Sequence, residues 1–262
     1  MDLPVNRFIN QSYIFFLLES PYHTGISEDS LPDNFFNVTL TYRLDSDILF
    51  PYGVWRKLDE FTPANQKWNW DEVKEMVNNK TGLILYLVSN CHTPSKREAY
   101  VENLNQFIAI TQYGNCNNMA CDEECANKLR MSHRFYLAFE NSVCRDYVTE
   151  KVFRNMKELL VPVVLKNSIY ANILPDASYI AADDFNSPRE LALYLKYFEW
   201  TKYYQKSTSI NYSCALCKYL HEHSNHNTSK TISDIRSWWF EEGQCIDDYA
   251  WQLLHKTEIT TT

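Results

Sequence analysis

A chain of 262 residues, 45% hydrophobic and 22% charged, has enough apolar material for one large domain or two small ones, which excludes disorder as a description of the whole. Aromatic residues reach 15% while glycines number only 5, a balance that fits a packed α/β or α+β protein and argues against a low-complexity chain. The net charge of −8, with no Lys/Arg run to offset it, argues against a nucleic-acid polymer as partner and leaves a single nucleotide open.

Residues 1–80 read as part of an α/β lobe. Residues 13–18 (Tyr-Ile-Phe-Phe-Leu-Leu) fall short of the ~18 apolar residues of a membrane span and lack a basic flank or cleavage site, so a buried strand is expected. A turn from Pro21 to Gly25, a strand over 38–42 and the turn Pro51-Tyr52-Gly53 follow. These are fewer strands than a free-standing sheet needs, so this N-terminal lobe is expected to be incomplete.

From residue 81 short apolar runs alternate with amphipathic segments. Residues 83–88 (Leu-Ile-Leu-Tyr-Leu-Val) suit a parallel strand covered on both faces. Thr93 before Pro94 predicts a helix start, and Arg97, Tyr100, Val101 and Leu104 carry the helical repeat. Strands are predicted over 108–111, 135–139, 161–165 and 179–182, and a helix from 148 to about 160. Ser187-Pro188-Arg189-Glu190 is a capping box that opens a helix reaching about Phe198. This order predicts a parallel sheet with right-handed crossovers, a Rossmann-like lobe over 81–200. Residues 201–262 form a Cys- and Trp-rich tail expected to pack back on the body.

Eight cysteines and five Asn-x-Ser/Thr sequons, at Asn10, Asn37, Asn79, Asn211 and Asn227, point together to an oxidising, glycosylating lumen. Spacing does not fix the pairing. The expectation is Cys91 with Cys144, joining the ends of neighbouring strands, and Cys214 or Cys217 with Cys245. Cys214-Ala-Leu-Cys217 followed by His221, His223 and His226 keeps a zinc reading open, although no second C-x-x-C completes a ligand set. Asp45-x-Asp47 and Asp183-Asp184 could hold a divalent metal, or serve the commoner roles of cap and turn.

Residues 139–151 (Phe-Glu-Asn-Ser-Val-Cys-Arg-Asp-Tyr-Val-Thr-Glu-Lys) are the most informative. They fall where a strand ends and a helix begins, the crevice in which open parallel sheets bind ligands. A helix N-terminus there presents backbone N–H groups and a positive dipole end, both suited to phosphate. Lys151 adds a mobile cation, Glu150 an acceptor for ribose hydroxyls, and Tyr147 a ring for a sugar or base. On spacing alone the other reading stays open, an ordinary solvated helix start capped by Thr149 or Asp146.

The run from Phe135 to Lys151 resembles the signature of the α1,3/4-fucosyltransferase family. Further matches follow in order: Glu19-Ser20-Pro21-x-His23, Thr39-Leu40-Thr41-Tyr42-Arg43-x-Asp45, Pro51-Tyr52-Gly53, Ser89-Asn90-Cys91, Arg97-Glu98-x-Tyr100, Tyr113-Gly114-x-Cys116 and Asp183-Asp184-Phe185. The resemblance covers roughly residues 10–245, and the cysteine-rich stretch from Cys116 with Trp238-Trp239 is similar to invertebrate and plant branches. It implies an α/β fold of two Rossmann-like lobes, of the inverting glycosyltransferase type B kind. It also implies an enzyme that moves fucose from GDP-fucose to a GlcNAc hydroxyl of an N-glycan or lactosamine-type acceptor, with no required cofactor or metal although a divalent cation could stimulate. The setting implied is the Golgi lumen, as a single-pass type II membrane protein whose N-terminal anchor is not in this sequence. By the resemblance Glu19 is the general base, Arg97 and Lys151 contact the donor diphosphate, Glu150 the ribose, and Asn141 and Tyr147 shape the donor pocket. His23, Arg43, Ser89 and Asn90 are further candidates for shaping the acceptor or donor site, Arg43 alternatively pairing with a nearby acid. The competing reading is a catalytically impaired glycan- or nucleotide-binding relative with a short N-terminal lobe. Two departures stand out, the short stretch before Glu19, where the family carries further strands, and the loss of glycines. Lys157-Glu158-Leu159-Leu160 and Lys166 occupy positions where the family carries glycines, as does Asn117 after Cys116, so the loop beside the fucose is expected to differ in shape.

Overall fold

The computed structural model describes residues 10–55, 58–64, 67–198 and 230–256, with residues 3, 4, 7, 8, 216 and 219. Cys214, Cys217, His221, His223, His226 and the sequons at Asn211 and Asn227 lie outside the described residues. The chain divides into two compact units, one made of Met1–Tyr52, Cys144–Tyr147 and Ile210–Cys245, the other of Gly53–Val143, Val148–Ser209 and Ile246–Thr262.

The first unit holds a parallel sheet in the order β1-β2-β3, with β1 at Ile14–Leu17, β2 at Val38–Thr41 and β3 at Ile48–Leu49. The expected burial of the first strand holds on one side only. Phe15 is buried whereas Phe16 is 52% exposed, the alternation of a strand with one covered face. Phe15 and Tyr42 pack against Trp239, whose indole N–H donates to Thr24 Oγ1 at 2.9 Å. Asn37 clasps the start of the β1–β2 pair. Its Oδ1 accepts from the Tyr13 N–H at 2.8 Å, and its Nδ2 donates to the Lys230 carbonyl at 2.8 Å.

The second unit is built on a five-stranded parallel sheet in the order β5-β4-β6-β7-β8. The strands are β4 (Gly82–Leu87), β5 (Ile110–Tyr113), β6 (His133–Leu137), β7 (Val161–Val164) and β8 (Ile180–Ala181). The helices are α1 (Trp70–Asn78), α2 (Arg97–Leu104), α3 (Glu123–Ser132), α4 (Glu150–Lys157), α5 (Asn167–Tyr170), α6 (Pro188–Lys196) and α7 (Tyr249–Leu254). Ile84, Phe135, Leu137 and Val163 from the three inner strands form the buried centre, and α2 packs with α6 and α7. The predicted parallel α/β arrangement is therefore present. No helix among the described residues is long and apolar enough to cross a membrane.

Several boundaries differ from those predicted, for local reasons. Helix α2 begins at Arg97 rather than at Thr93-Pro94. The Thr93 hydroxyl donates to Glu98 Oε2 at 2.9 Å across a turn that ends in left-handed Lys96, φ 53°, so the cap stands apart from the helix it serves. Strand β5 lies two residues beyond the predicted run, because Ile108 still donates to Leu104 and closes the end of α2. Helices α1 and α3 were not anticipated, yet each carries a start signal, the Asn69/Glu72 capping box and Asp122 accepting from the Cys125 N–H.

The expected disulfides are overturned. Cys91 bonds Cys116, and Cys144 bonds Cys245, so neither the Cys91–Cys144 pair nor a Cys245 bond to Cys214 or Cys217 is formed. Strand β4 has neighbours on both sides, β5 and β6, and the loop following β5 supplies the partner of Cys91. Cys121 and Cys125 form a third bond around the start of α3.

The missing glycine after α4 has left its geometry behind. Leu159 adopts φ 55°, the left-handed conformation that glycine takes at no cost, and its side chain is buried against Val73 and Val77 of α1. Left-handed backbone costs a leucine ~1–2 kcal/mol, while losing a buried leucine costs ~2–5 kcal/mol, so burial outweighs the strain. Leu159→Ala and Leu159→Gly are both expected to destabilise by roughly 2–4 kcal/mol in urea unfolding. The glycine variant should be the more stable of the two by about 1 kcal/mol, since only alanine keeps the strain. A more stable alanine variant would contradict the left-handed turn.

Candidate functional site

In the five-stranded sheet the chain runs from β4 to β5 on one side and then to β6 on the other, so the loops after β4 and β6 diverge from a topological switch point. In open parallel sheets the crevice at the carboxyl ends of such strands receives ligands. Arg97, the first residue of α2, joins the two loops. It is 2% exposed, and its guanidinium donates to the Phe139 carbonyl at 2.7 Å and to the Asn90 carbonyl at 3.1 Å. Ser95 adds an N–H donated to the Asn141 carbonyl at 3.0 Å and a hydroxyl donated to the Glu140 carbonyl at 2.8 Å. The Cys91–Cys116 bond ties the loop after β4 to the loop after β5. There Gly114, at φ 109°, is required: a Cβ would lie 2.0 Å from the Val88 carbonyl oxygen.

At the start of α4 the arrangement differs from an open anion site. Glu140, 3% exposed, accepts from the Thr149 N–H at 2.8 Å, from the Thr149 hydroxyl at 2.8 Å and from Lys151 Nζ at 2.9 Å. Lys151 Nζ also donates to Thr149 Oγ1 at 3.0 Å, and that oxygen caps the Lys151 N–H. The expectation of open backbone donors is therefore corrected for these two N–H groups: a buried carboxylate and a hydroxyl already satisfy them. What the helix start presents is the lysine. Burial works against its charge, but the Glu140 and Glu150 carboxylates with the Glu140 hydrogen bond more than offset this and hold its pKa above the ordinary lysine value. Glu150 stands 57% exposed with its carboxylate 3.7 Å from Lys151 Nζ.

Arg97 and Lys151, from different segments, thus meet consecutive residues, Phe139 and Glu140. Two buried polar atoms on the same loops, Arg97 Nε and Asn141 Oδ1, lack a partner among the described residues. Native proteins leave few such atoms, and a polar ligand is one explanation for them. Ser89 and Asn90 are exposed at the rim, and Asn90 also lines a cavity of about 500 Å³ with Tyr86, Glu98, Glu102 and Asn105.

The remaining candidates lie in the first unit. Tyr147 is buried, packs its ring on Tyr42 with centroids 5.1 Å apart, and donates its hydroxyl to Glu19 Oε2 at 3.0 Å. Its segment is fixed by the Cys144–Cys245 bond, by the Arg145 N–H donated to the Gly243 carbonyl at 2.8 Å, and by Asp146 accepting from the Leu44 N–H at 3.1 Å. His23 Nδ1 lies 3.2 Å from Ser20 Oγ, just after Glu19. Arg43 is fully buried; it grips both oxygens of Asp45 at 2.9 and 2.7 Å, donates to the Trp238 carbonyl and stacks on the Trp238 ring at 4.1 Å. The acids once open to a metal reading have other partners. Asp47 accepts from Thr39 and Lys230, and Asp183 from Asn167 and Tyr249. Glu140 and the Tyr147–Glu19 bond are the features that sequence reasoning missed.

Residues 77–238 match the family model for the C-terminal domain of glycosyltransferase family 10 (fucosyltransferase), and residues 1–53 match the fucosyltransferase N-terminal model. Among curated proteins the chain is 36% identical over 263 residues to alpha-(1,3)-fucosyltransferase C of Drosophila melanogaster, covering 91% of this chain and 61% of that one. It is 34% identical to the 4-galactosyl-N-acetylglucosaminide 3-alpha-L-fucosyltransferase FUT5 of Homo sapiens, covering 90% and 63%. It is 30% identical to alpha-(1,3)-fucosyltransferase fut-5 of Caenorhabditis elegans, covering 95% and 70%. The chain thus spans about three-fifths of the length of the fly and human relatives. A crystal structure of an alpha1,3-fucosyltransferase with GDP-fucose superposes with a TM-score of 0.56 at 17% identity, over 84% of this chain and 77% of that one, a likeness of fold. With both domain models matched in order and relatives aligned across most of its length, the chain belongs to glycosyltransferase family 10, the fucosyltransferases.

Proposed function

We propose that this chain transfers fucose from GDP-fucose to a GlcNAc hydroxyl of an N-glycan or lactosamine-type acceptor, with inversion at the anomeric carbon. The observation that supports the reading is that Arg97 and Lys151, from different helices, are held by consecutive residues, Phe139 and Glu140, at the switch point of the sheet, which puts two cations on the loop where a diphosphate would need them. The printed names of relatives and of the GDP-fucose complex supply the sugar, the nucleotide and the acceptor type. In the step proposed, the acceptor oxygen bonds to the anomeric carbon as the bond to GDP breaks on the opposite face. Glu19 takes the hydroxyl proton, and Tyr147 holds the Glu19 carboxylate by the hydrogen bond described above. Arg97 and Lys151 meet the negative charge gathering on GDP, Glu150 takes a ribose hydroxyl, and Asn141 offers its unpaired amide oxygen to the donor. A divalent cation is expected to stimulate without being required. The three disulfides among the described residues suit an oxidising lumen, and we place the chain in the Golgi, as part of a membrane-anchored protein.

The test is transfer from labelled GDP-fucose to a panel of N-glycan and lactosamine acceptors, with and without EDTA. Wild-type protein should transfer in both conditions. Lys151→Ala should lower kcat/KM by about a hundredfold, corresponding to the ~3 kcal/mol of one fixed donor at a charge-developing centre. GDP binding with no transfer to any acceptor would favour a non-catalytic, glycan- or nucleotide-binding relative instead.

A further inference from the structure

We infer that Glu140 is a positioning residue of the donor site, its buried carboxylate carrying Lys151 and the first turn of α4 as one block aimed at a diphosphate. The inference rests on the proposed function and adds to it a residue that does not itself touch the donor.

The geometry leads to this. Glu140 follows directly on the residue whose carbonyl Arg97 grips, so the guanidinium of α2 and the ammonium of α4 are both referred to one short stretch of backbone. One carboxylate serves the Thr149 N–H, the Thr149 hydroxyl and Lys151 Nζ, so the cap of α4 and the cation move together. An ammonium has three N–H donors. Among the described residues Glu140 and Thr149 take two by hydrogen bonds, and the third, with the exposed Glu150 carboxylate beyond hydrogen-bond reach at 3.7 Å, is left for a phosphate oxygen. A carboxylate and the hydroxyl it holds, each taking one donor, together aim the remaining one.

Charge gives the residue a second task. Lys151 is 19% exposed, and burial and the nearby Arg97 guanidinium both disfavour its proton. Two carboxylates oppose them. Glu150, on the same helix, is mostly in water and screened, whereas Glu140 is buried and in direct hydrogen-bond contact, so Glu140 supplies the larger share. Tyr86 of β4, which also lies within the field of this lysine, has its phenol pushed by burial up to about 12 and brings no charge near neutrality. Without Glu140, the lysine of the unliganded protein would give up its proton more readily, and binding an anionic diphosphate would draw that proton back.

The experiment measures GDP binding by calorimetry to the whole chain, in two buffers of different ionisation enthalpy, between about pH 7 and about pH 9. Wild-type affinity should stay within about twofold over this range with no net proton uptake. Glu140→Gln should take up a proton on binding, and its affinity should fall as pH rises, approaching tenfold per pH unit above the lowered lysine pKa. Glu140→Gln combined with Lys151→Met should lose that proton uptake. Thr149→Val, which keeps the carboxylate, should bind GDP without proton uptake, as wild type does. If Glu140→Gln does not fold, Glu140→Asp decides, because its charge sits on a shorter arm: weakened but pH-independent binding supports the inference, and unchanged binding overturns it. Glu140→Gln binding GDP as wild type does across the range also overturns it, with the donor assignment intact. Wild type that binds no GDP at any pH overturns the proposed function, and the inference with it.

Discussion

Glu19→Gln should lower fucose transfer by about 10²–10⁴-fold, acting on kcat, while GDP affinity is unchanged. Glutamine keeps the size of the side chain and can still accept the Tyr147 hydrogen bond, so only the capacity to take a proton is removed. Tyr147→Phe is the companion. It deletes one hydrogen bond to an ionised group, worth ~1.5–3 kcal/mol, and leaves an exposed carboxylate that water can still solvate, so a loss of roughly tenfold is expected. The order of the two effects separates chemistry from orientation. Equal transfer by Glu19→Gln and wild type in a saturating assay would remove Glu19 from its role. A Tyr147→Phe loss as deep as that of Glu19→Gln would make the tyrosine more than a support.

Removal of the Cys144–Cys245 bond by the double change to serine should destabilise the protein by about 4–5 kcal/mol, because the bond closes a loop with a sequence separation of 101. The same change at Cys121 and Cys125, whose separation is 4, should cost only about 2 kcal/mol. Guanidinium unfolding of both double variants checks the ratio, and equal losses would refute the loop-size argument. A functional consequence follows from position. Cys144 lies three residues before Tyr147, so the serine variant should also lose transfer activity under conditions where it remains folded.

What was legible in the sequence was what local patterning controls. Residues 83–88 announced β4 because a strand covered on both faces needs an unbroken apolar run. Thr149 ahead of Glu150 and Lys151 announced α4, and Ser187 with Pro188 announced α6, because capping chemistry is completed within three residues. The parts that stayed hidden depend on residues far apart in the chain. Arg97 reads as a helix-face cation, and only the register of β4 beside β6 brings it to the Phe139 carbonyl, 42 residues on. Glu140 reads as a strand-end acid, and its capture of Thr149 requires the intervening loop to fold back. The disulfides were missed for the same reason: β4 has two neighbours, and composition does not say which one offers the thiol.

The clasp made by Asn37 bears on how the protein is made. The tripeptide it opens is an acceptor for N-linked sugar, yet the nitrogen that would carry the sugar is buried and committed to the Lys230 carbonyl. A sugar on that nitrogen would stand where Asn37 meets Lys230, so modification and this buried contact compete for the same place. Lys230 is made 193 residues after Asn37, which leaves an interval in which the nascent segment is open to modification before this contact can form. Asn79, exposed at the close of α1, sets no such race and can be decorated at leisure.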